Sequence, residues 1–387
     1  MRKKLVIVQP YVPTYRVAFF ETLSARLRDK GIDCVVTAGM PKGEQAMRGD
    51  AVRPDWLHPL EQKSLHIKGR SVALGYGQKP WRNADAVILG LEGSSFPVYQ
   101  ALLEAQVTGL RVGLWGHVRP YVNSGNPVDL WLEKLQLKAS DHVFAYTPGG
   151  RDYALTAGVA PNKVTTVMNS LDTSSLETSK QRLTPELIGE NARKWGIDPT
   201  RTLCFVGGLD ESKRIGFLVE VLDRLWQRDQ SVRILVGGEG PQKDLLRPAF
   251  ERGQAISLGY LNLDEKALVL ATSRALAMPG RIGLVAVDAL VMHRPVLTTN
   301  WPYHAPEFEY LTEGTSKITS ADDPQSYADL VLRFLDDECA LYDHTDWNFP
   351  GLHQMVKNFA GGVEILLTSK SVARRSAAGL FADKAAH

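Results

Sequence analysis

The residues with the clearest chemical use lie in Met278-Pro-Gly-Arg-Ile-Gly-Leu-Val-Ala-Val-Asp-Ala-Leu-Val-Met292, which reads as a strand end, a glycine loop and a helix. His293-Arg294-Pro295 and the strand Val296–Thr298 follow. At such a helix start the N–H groups of Gly283, Leu284 and Val285 have no partner within the helix, and they favour a phosphate by hydrogen bonding and by the helix dipole. Gly280 and Gly283 permit close backbone approach. Asp288 lies about 7 Å further along the axis at about 1.5 Å per residue, and its side chain leans back toward the helix start, within reach of a ribose joined to that phosphate. The plainer reading is a Pro-Gly turn before a core helix, with Asp288 on the surface.

Four further loops carry polar groups at predicted strand ends. Phe205-Val-Gly-Gly-Leu-Asp-Glu-Ser-Lys-Arg-Ile215 opens a helix with Lys213 and Arg214, where positive charge opposes the dipole. An anion between them would remove that conflict; projection into water is the alternative. Gly238 and Glu239, in Val236-Gly-Gly-Glu-Gly-Pro241, suit a flat base or ribose lying on backbone, though such loops are also common turns. His117, in Gly113-Leu-Trp-Gly-His-Val-Arg-Pro-Tyr121, is placed to donate to a sugar hydroxyl or to be held within the loop. Tyr11, Tyr15 and Arg16 of the loop after the first strand, with Arg119, put aromatic and cationic groups on the same face.

Elements that position these loops are legible as alternating strands and helices. Strands are predicted at Leu5–Val8, Cys34–Thr37, Ala86–Leu89, Val112–Trp115 and Val143–Tyr146, with a helix over Val17–Arg28. The segment from Pro41 to Arg82 lacks a sustained period and reads as loop with short strands. Further strands are predicted at Leu203–Val206, Ile234–Val236, Ile256–Leu258, Ala275–Met278 and Val296–Thr298, with helices over Gly216–Gln227, Lys243–Arg252, Glu265–Thr272 and Leu284–Met292. A chain of 387 residues holding two such arrays predicts two doubly wound α/β domains, with ligand at the carboxyl ends of the strands. The expected divisions are 1–170, 171–350, a helix over 351–368 that crosses back to the first domain, and a tail over 369–387. The linker is expected near Asn169–Thr178.

Composition limits the setting. Cys34, Cys204 and Cys339 form no ligand-spaced pair, which argues for a reducing compartment and against structural disulfides or zinc. Gln9-Pro10 cuts the first apolar run too early for a signal peptide, and no run is long enough to span a membrane. Residues 1–170 hold 21 Lys+Arg against 14 Asp+Glu, and the rest hold 24 against 29, so a net charge of +2 conceals a basic first half. That half suits an anionic acceptor or membrane surface, or is simply a solvated face. No G-x-G-x-x-G, phosphate-binding G-x-x-x-x-G-K-[ST] or G-x-S-x-G motif occurs, which counts against dehydrogenase, kinase and α/β-hydrolase readings. No Asp-x-Asp triplet occurs to clamp a metal and diphosphate.

In order along the chain, Tyr15-Arg16-Val17 with Phe20 and Leu23, Leu114-Trp-Gly-His117, Val167-Met-Asn-Ser-Leu-Asp172, Gly207–Lys213, Gly237–Pro241, Pro279–Leu284 and Pro295 resemble the GT-B retaining glycosyltransferases of family 4. Gly280 and Asp288 stand where most of that family has two glutamates, and Gly208 replaces its usual arginine. The sequence is similar to a branch with Pro-Gly-x-x-Gly-Leu and a later Pro306-Glu-Phe-Glu309, whose Glu307 or Glu309 would replace the first glutamate or serve as helix-start carboxylates.

The resemblance implies two facing Rossmann-like domains with a cleft, and retaining, metal-independent transfer without a cofactor. The donor would be a UDP- or GDP-linked sugar and the acceptor a glycan or lipid-linked molecule, in bacterial surface polysaccharide synthesis, with no nucleic acid partner. The setting would be cytoplasmic, peripheral to an anionic membrane. By resemblance, His117 and Lys213 are catalytic, Lys213, Arg214 and Gly283–Val285 hold the diphosphate, and Asp288, Gly238 and Glu239 hold ribose and nucleotide. Gly280, Arg281 and Ile282 would meet the donor sugar, and Tyr11, Tyr15, Arg16 and Arg119 the acceptor. A nucleotide-sugar epimerase of the same fold and an inactive binding protein are the rival readings.

Overall fold

A computed structural model describes residues 2–41, 46, 49–67, 70–121, 126–337 and 347–368. The expected tail and Cys339 lie outside these residues. The chain divides into two compact units, the first comprising 2–120, 126–169 and 353–368, the second Tyr121, 170–337 and 347–352.

The first unit is built on seven strands, β1 (Lys3–Gln9), β2 (Ile32–Ala38), β3 (His58–Pro59), β6 (Ala86–Gly90), β7 (Arg111–Gly116), β8 (His142–Ala145) and β9 (Val164–Thr166). Their order is β3-β2-β1-β6-β7-β8-β9, and every pairing is parallel. Between β3 and β6 the chain forms a separate antiparallel hairpin, β4 (Gln62–Ile67) and β5 (Arg70–Tyr76). Continuous apolar runs such as Leu5-Val-Ile7 are buried in full, as strands covered on both faces require. Covering helices are α1 (Val17–Asp29), α2 (Phe96–Val107), α3 (Pro127–Ala139) and α4 (Pro148–Thr156).

A further helix, Leu352–Thr368, brings the chain back to this unit from His353 onward. Its Phe359 stacks on Phe144 of β8 at 4.6 Å between centroids and meets Trp115 at 4.9 Å and Phe19 at 5.4 Å edge-on. Gly362 makes the approach possible, since a Cβ there would lie 2.6 Å from Phe144. The aromatic core of the first unit is therefore completed by the last helix described.

The second unit opens with α5 (Thr173–Gln181) and α6 (Pro185–Trp195). Six strands follow, β10 (Thr202–Val206), β11 (Arg233–Gly237), β12 (Ala255–Gly259), β13 (Ala275–Ala277), β14 (Val296–Thr299) and β15 (Lys317–Ser320). Their order is β12-β11-β10-β13-β14-β15, again parallel throughout. Covering them are α7 (Ile215–Arg228), α8 (Arg247–Glu251), α9 (Leu263–Thr272), α10 (Val285–Val291) and α11 (Pro324–Asp336). In each sheet the order reverses beside the first strand, between β1 and β6 and between β10 and β13. Loops leaving a reversal on opposite sides open a crevice at the carboxyl ends.

Two local expectations are corrected. Thr173–Thr178, expected within a linker, begins α5 because Asp172 caps it, its carboxylate accepting from Ser175 N–H at 3.4 Å. The helix expected over Lys243–Arg252 starts as a 3-10 turn, Lys243–Leu246, and becomes α-helical from Arg247, with Pro248 in its first turn. Cys34 and Cys204 are free thiols, and burial pushes both up to about 12. Among the described residues no helix is long and apolar enough to cross a membrane.

His142 is buried at the start of β8, with Nε2 2.8 Å from Thr165 Oγ1. Burial, then nearby Lys163, pushes its pKa down to about 4. An unfolded histidine titrates near about 6.5, so below that pH the unfolded chain takes up a proton that the folded chain refuses. Stability is complete above about pH 6.5 and declines toward pH 4. The urea midpoint is expected to fall between about pH 7.5 and about pH 5, and His142→Gln to flatten that fall. An equal pH dependence in variant and wild type would refute the assignment.

Candidate functional site

Loops after β10, β11 and β13 pack together at the reversal of the second sheet. Leu209 N–H donates to Glu239 O at 2.9 Å, and Gln242 N–H donates to Leu209 O at 2.9 Å. A Cβ on Gly238, whose φ is +145°, would overlap the Gly207 carbonyl, and one on Gly240 would lie 2.7 Å from Leu209 N. The glycines expected to seat a base are thus required first by backbone lying on backbone. Glu239, expected at the nucleotide, pairs with Lys243 at 2.7 Å.

The loop after β13 is held by the loop after β10 in the same way. A Cβ on Gly280 would sit 2.6 Å from Lys213 Cα, so this glycine, expected at the donor sugar, is buried beneath the backbone of the loop after β10. Arg281 N–H donates to Ser212 O at 2.8 Å, and Lys213 Nζ donates to Arg281 O. Ile282, also expected at the sugar, is corrected: its side chain is fully buried, its N–H goes to His304 Nδ1 at 3.3 Å, and its carbonyl accepts from Ala305 N–H at 2.8 Å. Gly283 differs, because a Cβ there would meet nothing nearer than Ala305 Cβ at 3.5 Å. The N–H groups of Gly283, Leu284 and Val285, at the start of α10, have no acceptor among the described residues.

Charges around this turn are arranged unevenly. Arg214, with φ of +57°, ion-pairs with Asp322 and donates to Pro279 O at 3.2 Å while lying over the Phe217 ring at 4.3 Å. Its charge, expected at a diphosphate, is met within the fold by Asp322. Lys213 meets a neutral carbonyl instead. Asp288 is buried on α10, and Lys266 of α9 donates to both its oxygens at 2.9 Å. A carboxylate offers about four acceptor sites, so the pair leaves capacity for a hydroxyl.

His304 was not singled out from sequence. It is buried after β14, stacks on Phe308 at 3.9 Å and 15°, and meets Trp301 edge-on at 5.7 Å. Its pKa is pushed down to about 4, chiefly by burial and then by the positive field of Lys317, with Lys213 and Arg214 adding. Three cations therefore act on one small region. The sequence signal was a lone histidine between Pro302 and Pro306, ambiguous without its partner. Lys266 and Asp322 were missed for the same reason.

In the first unit, His117 follows β7, its ring 5.1 Å from that of Tyr146. The next residue, Val118, is buried with φ of +68°, a costly conformation for a β-branched side chain. Gly150 accommodates the His117 carbonyl, 2.6 Å from where its Cβ would stand. Arg16 is corrected from acceptor contact to core cation. It is buried, donates to Asn169 Oδ1 at 2.5 Å, and lies 5.2 to 5.8 Å from the rings of Tyr15, Phe19, Trp115 and Tyr146. Tyr11 is buried too, whereas Tyr15 and Arg119 are exposed.

Residues 200–337, within the second unit, match the family model described as Glycosyl transferases group 1. The chain is 19% identical over 222 residues to the alpha-D-kanosaminyltransferase of Streptomyces kanamyceticus, a match spanning 53% of this chain and 57% of that relative. Similar solved structures include a glycosyltransferase from Rickettsia africae, at TM-score 0.65 and 16% identity over 95% of this chain and 100% of that one. The Anabaena protein HepE in complex with UDP and glucose follows at TM-score 0.64 and 12% identity, over 94% and 100%. A UDP-GlcNAc 2-epimerase from Methanocaldococcus jannaschii matches at TM-score 0.54 and 14% identity, over 95% and 100%. The chain has the GT-B fold, two Rossmann-like parallel-sheet units, and its second unit carries the glycosyltransferase match.

Proposed function

We propose that the protein is a retaining glycosyltransferase that takes a sugar from a nucleotide diphosphate and seats the diphosphate at the turn after β13. The observation that carries this reading is that Lys213 donates to Arg281 O, two residues before three successive N–H groups that have no acceptor among the described residues. Such donors stabilise charge on a departing diphosphate without rearranging during the reaction. The matches to sugar transferases and to a UDP-bound neighbour support a nucleotide sugar as donor. We assign Asp288 to the ribose through its remaining acceptor sites and His117 to the transferred sugar, and a departing phosphate oxygen takes the acceptor proton.

We further propose that the first unit rests on an anionic membrane carrying the acceptor. Helix α3 exposes Val128, Trp131 and Leu135 by 60%, 58% and 41%, three apolar side chains along one stripe, with Lys134 and Lys138 beside it. Tryptophan and lysine in this pattern suit a headgroup boundary.

UDP or GDP, whichever is the donor nucleotide, is expected to raise the melting temperature of the wild-type protein. Lys213→Ala should weaken that nucleotide by about 1.5 to 3 kcal/mol, on the order of 10- to 100-fold, with transfer falling at least as far. Undiminished transfer would overturn the role, and binding without transfer to any acceptor would favour an inactive binding protein. Gly283→Ala should melt like wild type yet bind the diphosphate less well, whereas Gly280→Ala should lower the melting temperature because Lys213 backbone blocks its methyl. Trp131→Glu should lose sedimentation with phosphatidylglycerol vesicles; equal sedimentation would remove the membrane proposal.

A further inference from the structure

The peptide Arg281–Ile282 has every polar backbone atom engaged. Arg281 N–H donates to Ser212 O, Lys213 Nζ donates to the Arg281 carbonyl, Ile282 N–H donates to His304 Nδ1, and Ala305 N–H donates to the Ile282 carbonyl. The next N–H groups along the chain, from Gly283 to Val285, are the ones left open. Two of the four ties come from neighbouring residues of the loop after β14, and only one of these is a side chain.

We propose that His304 is a positioning residue, whose neutral ring holds the Ile282 N–H and so aims the turn at Gly283–Val285 toward a diphosphate. This rests on the reading of that turn as the diphosphate seat. The bond requires an unprotonated Nδ1, hence the tautomer with hydrogen on Nε2. Burial between Phe308 and Trp301, with Lys317, Lys213 and Arg214 in the surroundings, keeps the ring in its neutral form. A phenylalanine would preserve the stacking and delete the acceptor. An asparagine would preserve an acceptor near Nδ1 and delete the stacking.

Two measurements test this. In wild type, hydrogen exchange should show the Ile282 amide protected, and His304→Phe should expose it while leaving neighbouring strands β13 and β14 protected. In the same variant UDP or GDP affinity should fall about tenfold, the worth of one hydrogen bond, while uridine or guanosine affinity stays the same. His304→Asn should recover most of the diphosphate affinity. Unchanged diphosphate affinity in folded His304→Phe, or equal losses of nucleoside and diphosphate, would overturn the proposal. If His304→Phe does not fold, His304→Asn decides: strong loss of diphosphate with protected strands would also overturn it. Should wild type bind neither nucleotide, the reading of the turn fails, and exchange at Ile282 still judges the role of His304.

Discussion

Everything at the second sheet's carboxyl ends depends on backbone passing against backbone without side chains between. Gly238 lies on the Gly207 carbonyl, Gly240 on Leu209 and Gly280 on Lys213, so three loops from β10, β11 and β13 form one continuous layer. The layer is cross-tied by hydrogen bonds between main chains, which satisfies groups that would otherwise be buried unpaired. Because its shape is set by main chain, the turn at Gly283 is fixed by loops distant in sequence rather than by its own short helix.

Electrostatics in this layer follow from the same crowding. Arg214 reaches its place only through a left-handed backbone, and there it finds Asp322 and two aromatic faces. Lys213, one residue earlier, remains on the layer's edge against a carbonyl. Adjacent cations in one loop thus have different work, one structural and one directed at the turn. The buried imidazole of His304 stays neutral beside them, which limits the local accumulation of charge.

The sequence made the parallel strands legible because buried strands read as short apolar runs between turn residues, as at Leu5–Val8 and Leu203–Val206. It also placed the glycine loops at strand ends. What it could not show was why each glycine was there: Gly280 and Gly238 were open to ligand or to packing, and only the facing loops decide for packing. Arg16 and Arg214 read as ligand-facing cations because a sequence carries no record of Asn169, Asp322 or the aromatic rings that receive them. His304, Lys266 and Asp322 each make a polar contact with a partner far along the chain, at separations of 22 or more residues. Helices α6 and α11 also carry caps that are readable in sequence, Thr184 with Pro185 and Asp323 with Pro324.

The return of the C-terminal helix to the first unit has a consequence for synthesis. Phe359, Val363 and Leu366 are fully buried, and the aromatic partners of Phe359, namely Phe19, Trp115 and Phe144, all lie before residue 145. A chain emerging from the ribosome therefore offers a finished second unit while the first still lacks the helix that seals it. The early sheet must wait, with Phe19, Trp115 and Phe144 uncovered, until residues 352–368 have been made. Order of completion is thus the reverse of order of appearance, and the unit made first is the one with the longest exposure to chaperones.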